Sequence, residues 1–212
     1  MANERLGSPD ITFAYGNGPV RAGIWYESQP IAFRSPWSGK SRRLRRWGMW
    51  KINYEWTDLP DDRARIVRSA FNVYDTHTPF KIVDVTRLKV TGNATDAQLD
   101  GITVNGPTQT GQVLNVQMIA SPGAVLLFKT GDIIGMAATG EVYEVSADVT
   151  ATGGGLAAVP LVQFIGKSPN DNERVLSENV AFKMQLTQSL PSRMQDALTH
   201  SFTAEMEEGN LP

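Results

Sequence analysis

The sequence predicts a mainly β protein with one helix packed on a sheet, and three stretches carry that prediction. Trp47–Trp56 alternates apolar and polar residues at the period of a strand. A Pro-Asp turn then opens one amphipathic segment over about residues 60–75. From about Thr91 helical periodicity vanishes, and short strands recur between Gly- and Pro-containing turns.

Composition sets the outer bounds. The chain has 212 residues, 41% of them hydrophobic, enough for one sizeable core or two small ones. Charged residues make up 20% and the net charge is −2, so no global charge favours nucleic acid or an anionic membrane. There is no cysteine, which excludes disulfides, thiol nucleophiles and Cys-ligated metals. Two histidines, His77 and His200, are too few for a His-rich zinc site. The start, MANERLGSPD, lacks the apolar core of a signal peptide, and no apolar run approaches the ~18 residues of a membrane span. Synthesis in a reducing compartment, with no membrane partner, is the expectation.

Residues 1–18 are polar and Gly-rich and read as an arm, with a short strand possible at Ile11–Tyr15. Strand pieces follow at Gly23–Glu27 and Pro30–Phe33. Pro36, Ser38 and Gly39 mark a turn, and the basic residues Lys40, Arg42, Arg43, Arg45 and Arg46 then read as a solvated loop. In the next strand Trp50, Ile52, Tyr54 and Trp56 are the core-facing set, while Met49, Lys51, Asn53 and Glu55 face outward.

Thr57 or Asp58 is the expected helix cap, with Pro60 at the first helical position and Asp61 and Asp62 in the first turn. Ile66, Val67, Ala70, Phe71 and Tyr74 form the apolar face, so Trp50, Trp56, Ile66 and Phe71 are predicted to centre the helix–sheet packing. The helix should end near Asp75, before Pro79, and Phe80–Val85 is the next strand.

Beyond Thr91, strands are expected at Gly101–Val104, Val113–Met118, Ile133–Met136, Val142–Ser146, Leu156–Leu161 and Val180–Leu186, a spacing that suits a small barrel or sandwich. Ala137–Gly140 reads as one hairpin loop and Gly153-Gly154-Gly155 as the turn of another. Asp196–Glu208 alternates like a closing strand. No internal repeat or low-complexity tract is present.

No residue stands out for catalysis, cofactor binding or metal ligation. Asp132, Glu144 and Asp148 make a nominal carboxylate cluster, but an Asp after Gly at a strand start ordinarily caps a turn. The glycine run lacks the following helix that a phosphate-cradling loop needs. His77 and His200 have no nucleophile motif beside them and read as structural. The Lys40–Arg46 cluster carries more weight. Five cations next to Trp47 and Trp50 could hold a phosphate backbone. In a chain of net charge −2, a contact with an acidic patch on a neighbouring subunit is the preferred reading, and direct nucleic-acid binding is not expected.

The order Ser38-Gly39-Lys40, tryptophan strand, Leu59-Pro60, acid-started helix, Phe80 resembles minor tail proteins of long-tailed bacteriophages, specifically distal tail proteins of the tail tip. LFKTGD (Leu127–Asp132), Tyr143-Glu144-Val145, DVTATGGGLAAVPLVQFIGKSPNDNERV and AFKMQL (Ala181–Leu186) extend the likeness to nearly the whole chain, about Ile24 to Glu208. The resemblance implies a split-barrel or β-sandwich domain with a flanking helix over 19–90 and 176–212, and an inserted small β-barrel or sandwich over 91–175. It further implies a structural, non-enzymatic homohexameric ring in the virion tail, synthesised in the host cytoplasm. Its partners would be the tail tube protein and the tail hub or baseplate. The alternatives are a carbohydrate-binding β-module for receptor recognition, or another tail component such as a tube or terminator protein. Against the carbohydrate reading, residues 91–175 hold three aromatics, Phe128, Tyr143 and Phe164, and the first two occupy predicted core positions.

Overall fold

A computed structural model describes residues 19–27, 30–34, 41–45, 48–74, 76, 78–84, 86–118, 124–188, 193–196 and 199–209, with backbone alone for 30–34, 41–45 and 193–196. The protein is mainly β, with a curled sheet and a flanking helix. It divides into two compact units, whose described residues fall within 9–82 plus 183–212 for the first and 83–182 for the second.

The first unit is built on a long antiparallel sheet. Its strands are β1 (Arg21–Glu27), β4 (Met49–Pro60), β16 (Thr199–Glu208), β14 (Ala181–Leu186) and β5 (Phe80–Val83), in that spatial order, with β15 (Arg193–Asp196) pairing β16. β4 is the longest strand because the alternation of its first eight residues satisfies both faces. Trp50, Ile52, Tyr54 and Trp56 are buried, and Met49, Lys51, Asn53 and Glu55 are half-buried on the other side. The last strand closes onto it in register: Phe202 lies opposite Trp56, Ala204 opposite Tyr54 and Met206 opposite Ile52.

The register slips between His200 and Phe202, where two residues of β4 face one of β16. Such a bulge adds one residue to one strand and shifts its alternation. Asp58 takes φ 55 there, its N–H donates to Ser201 Oγ at 3.4 Å, and Leu59 rather than Asp58 turns into the core. The bulge also explains why neither Thr57 nor Asp58 caps the helix. Both remain in the strand, which pairs with β16 as far as Pro60. Helix α1 (Asp61–Asn72) starts immediately after, with Pro60 as its uncapped N-cap and Asp61 and Asp62 in the first turn.

The helix buries Ala64, Val67 and Phe71. Ile66 does not belong to that core and is 54% exposed. At about 100° per residue it lies roughly 130° around the helix from the middle of the buried stripe. The stripe is Ala64-Val67-Phe71, not a band centred between Ile66 and Phe71. Phe71 meets the sheet through Trp56 (ring centroids 5.8 Å apart) and Phe80 (6.0 Å), and Trp56 also packs on Phe202 at 5.1 Å.

Two further strands, β2 (Pro30–Arg34) and β3 (Ser41–Arg45), pair antiparallel as a separate ribbon, Pro30 opposite Arg45 and Arg34 opposite Ser41. The basic stretch is therefore a strand over Ser41–Arg45 and not a solvated loop. Ile31 and Phe33 supply the β-prone residues of its partner.

The second unit is entered from β5 and left into β14. It holds three small antiparallel sheets around one apolar core. They are β12 (Leu156–Pro160), β7 (Val113–Met118) and β6 (Ile102–Val104); β10 (Val142–Glu144), β9 (Ile133–Met136) and β13 (Val175–Leu176); and β11 (Val149–Thr150) with β8 (Leu126–Phe128). Ile102, Leu114, Val116, Leu127, Phe128, Ile134, Tyr143 and Val159 are among the buried residues. The short helix α2 (Asp96–Asp100) was not expected. Its signal was Thr95-x-x-Gln98, a capping box in which Gln98 N–H donates to Thr95 Oγ1 and Thr95 N–H to Gln98 Oε1. The glycine run is a turn, as Gly155 (φ 77) donates to Thr152 O. It does not join a hairpin, because β11 pairs β8 and β12 pairs β7.

Candidate functional site

Two of the three carboxylates of the nominal cluster, Asp132 and Asp148, hold backbone. Asp132 is buried and accepts from Thr91 N–H and Oγ1 and from Lys129 N–H, all within 3.0 Å. Asp148 accepts from Thr130 N–H at 2.9 Å and Thr130 Oγ1 at 3.1 Å. These two donors, the N–H first, hold its carboxyl below the usual carboxylate value. The third nominal member, Glu144, uses its N–H to bond Gln163 Oε1 at 2.8 Å.

Sequence reasoning missed the stronger brackets. Asp84, 1% exposed, accepts from Thr86 N–H and Oγ1 and from Arg87 Nε, while Arg87 also reaches Gly131 O. Glu173 gathers the N–H groups of Ala138, Thr139 and Asn170. Gln109 Oε1 accepts from Asn115 N–H, and its Nε2 lies within 3.1 Å of the carbonyls of Asn105, Gly106 and Asn115. Strands of two to six residues leave many loop N–H groups without ladder partners, and these buried side chains supply them. One signal was visible: Asp84-x-Thr86 has the spacing of a turn in which Asp bonds the backbone two residues on.

His200 Nε2 lies 3.1 Å from Asp61 Oδ1, and Arg65 pairs with the other carboxylate oxygen at 2.5 Å, which ties β16 to the first turn of α1. His77, Lys40, Arg46 and Trp47 lie outside the described residues, and Arg42, Arg43 and Arg45 are placed by backbone on β3. Among the described residues no three His, Asp or Glu side chains could jointly hold a metal ion.

Two surfaces remain as candidates for contact. The outward face of the first unit's sheet is a charge ladder. Lys51 pairs with Glu27 at 2.5 Å and lies opposite Glu207, Glu205 lies opposite Asn53, and Arg21 reaches Glu55 at 3.6 Å. The Glu27 hydrogen bond leads the effects that raise the Lys51 pKa. Such exposed pairs contribute little stability but set register in an assembly. The other surface is an apolar row on the second unit. Leu156, Ala158, Pro160, Val162 and Phe164 alternate with less accessible residues, and Val113 lies opposite Pro160. Leu156 and Phe164 are each 47% exposed. A row of apolar side chains is a feature of protein contact surfaces.

A scan against protein-family models finds no match, and a search of curated proteins finds no relative. No helix among the described residues is long and apolar enough to cross a membrane.

Proposed function

We propose that this chain is a structural subunit of a bacteriophage tail tip, similar to distal tail proteins, which closes into a homohexameric ring joining the tail tube to the hub. The observation that supports the reading most is the path of the chain. β16 lies between β4 and β14, so sequence from both sides of residues 83–182 builds one sheet and that stretch forms the second unit. This arrangement suits a subunit with one body for the ring and another for further contacts. The function is geometric, with no reaction. The tail tube and hub proteins are its partners, and the virion tail its final location.

A ring repeats one heterologous contact, in which different surfaces of neighbouring copies meet. In this reading the β3 ribbon, with Arg42, Arg43 and Arg45, faces acidic surface of the next copy, such as that of Glu205 and Glu207. Changing Arg42, Arg43, Arg45 and Arg46 to Ser should weaken assembly at low salt while the circular-dichroism melt stays the same. Light scattering at rising concentration measures this. Salt near 0.1 M, where the Debye length is ~10 Å, should reproduce part of the loss. Assembly unchanged by the mutations, together with salt-sensitive DNA retention that they abolish, would replace the subunit contact with nucleic-acid binding.

The exposed Phe164 gives the carbohydrate-binding alternative its one specific support, since an accessible ring can stack on a sugar. That reading requires Phe164→Ala to abolish binding on a glycan array. The ring reading requires no such loss.

A further inference from the structure

Asn105-Gly106 joins two chemical facts. The side-chain amide of an Asn is open to attack by the following backbone nitrogen, and a glycine there offers no steric hindrance. Asn105 is exposed, and a Cβ at Gly106 would meet nothing within 4 Å. Its surroundings nevertheless hold the pair in a form that does not react. Gly106 N–H, the nitrogen that must attack, donates to Asp171 Oδ1 at 2.9 Å. Asn105 N–H donates to Asn115 O at 2.9 Å, and the carbonyls of Asn105 and Gly106 both lie within 3.1 Å of Gln109 Nε2. Gln109 is buried, and Gly106 has φ 93. Both peptide groups flanking Asn105 are thus pinned, and the backbone rotation that brings Gly106 N onto Asn105 Cγ breaks these bonds.

We propose that Asn105-Gly106 is a deamidation site gated by Asp171 and Gln109, silent while the loop is closed and reactive when it opens. In the open loop Gly106 N gives its proton to solvent base and forms a bond to Asn105 Cγ. The Cγ–Nδ2 bond then breaks as Nδ2 takes a proton from solvent and leaves as ammonia, giving a five-membered succinimide. Water then opens that ring at either carbonyl, yielding Asp or isoaspartate at position 105. Isoaspartate adds a methylene to the main chain directly after β6, where Gln109 and Asn115 fix the turn into β7. Closure of the loop therefore protects the register of β6 on β7, in which Val104 lies opposite Val116.

The test is peptide mapping by mass spectrometry of the full chain, incubated folded and in urea in mildly alkaline buffer. In urea the Asn105 peptide should gain the mass of deamidation far faster than in the folded protein. Asp171→Ala should raise the folded-state rate roughly tenfold or more, the change in opening expected from losing one hydrogen bond to a carboxylate. Asp171→Asn keeps an acceptor oxygen and should restore much of the protection. Equal rates for the folded and urea-treated wild type would overturn the proposal, as would no acceleration in a folded Asp171→Ala. If that variant does not fold, amide exchange of Gly106 in the wild type decides. Slow exchange supports the gate, and exchange at the rate of an unprotected amide rejects it.

Discussion

Trp56→Ala should destabilise the first unit by about 3–5 kcal/mol, the range for a large aromatic removed from a packed core. Trp56 is fully buried between three rings: Tyr54 at 5.9 Å edge-on, Phe71 at 5.8 Å from the helix and Phe202 at 5.1 Å from β16. It is the residue through which β4, α1 and β16 meet, so its loss leaves a cavity bordered by three elements that cannot all move in. Ile66→Ala, on the exposed side of the same helix, should change stability by no more than about 0.5 kcal/mol. The chain's five tryptophans, Trp25, Trp37, Trp47, Trp50 and Trp56, all lie within 9–82. Tryptophan fluorescence in urea therefore reads this unit selectively. A loss below about 1 kcal/mol for Trp56→Ala would show that the cluster is not the core of the sheet.

Gly92→Ala should be at least as damaging to the second unit, for a different reason. A Cβ at Gly92 would lie 2.0 Å from Leu127 O and 2.6 Å from Leu126 O. The obstacle is backbone, so no side-chain rotation relieves it. The backbone cannot retreat freely on either side. Thr91 N–H is held by Asp132, and Asn93 N–H donates to Leu126 O at 2.8 Å. Leu126 and Phe128 are in turn paired to β11. Overpacking in a compliant core costs about 1–3 kcal/mol, and this site should exceed 3 kcal/mol because a ladder must break. Hydrogen exchange should show lost protection at Asn93 and Ala151, whose N–H groups bond Leu126 O and Val125 O. Wild-type protection at both amides in Gly92→Ala would contradict the account.

The two predictions fall on residues of different legibility. Trp56 was readable, because strand alternation depends only on neighbours two apart and β4 keeps it for eight residues. The end of β4 and the lack of a side-chain cap on α1 were not. A bulge set by pairing with β16, more than 140 residues away in sequence, decides where β4 stops, and no local signal encodes it. Ile66 was misplaced because an apolar residue beside Val67 looks like part of the same face until the sheet fixes which stripe is covered. The basic stretch looked like a loop because its charges obscure a strand whose partner, Pro30–Arg34, supplies the apolar residues. Gly92 illustrates the other limit. Its necessity is a close approach to Leu127, a tertiary contact that the sequence does not display.

The contact surfaces were legible only as ingredients. The basic residues were evident, and so was the return of alternation at the C-terminal end. That β16 inserts between β4 and β14 required the pairing itself. The buried brackets Gln109 and Glu173 were invisible for a physical reason, and Asp84 showed only the local spacing of its turn with Thr86. A polar residue that satisfies loop N–H groups resembles any solvent-facing one until its burial is known.

The proposed ring is tested most directly by negative-stain electron microscopy of the purified full chain, alone and with its tail tube partner. The account predicts closed rings of a fixed copy number, six in the form proposed above, in one or both samples. Particles that stay monomeric in both would contradict it.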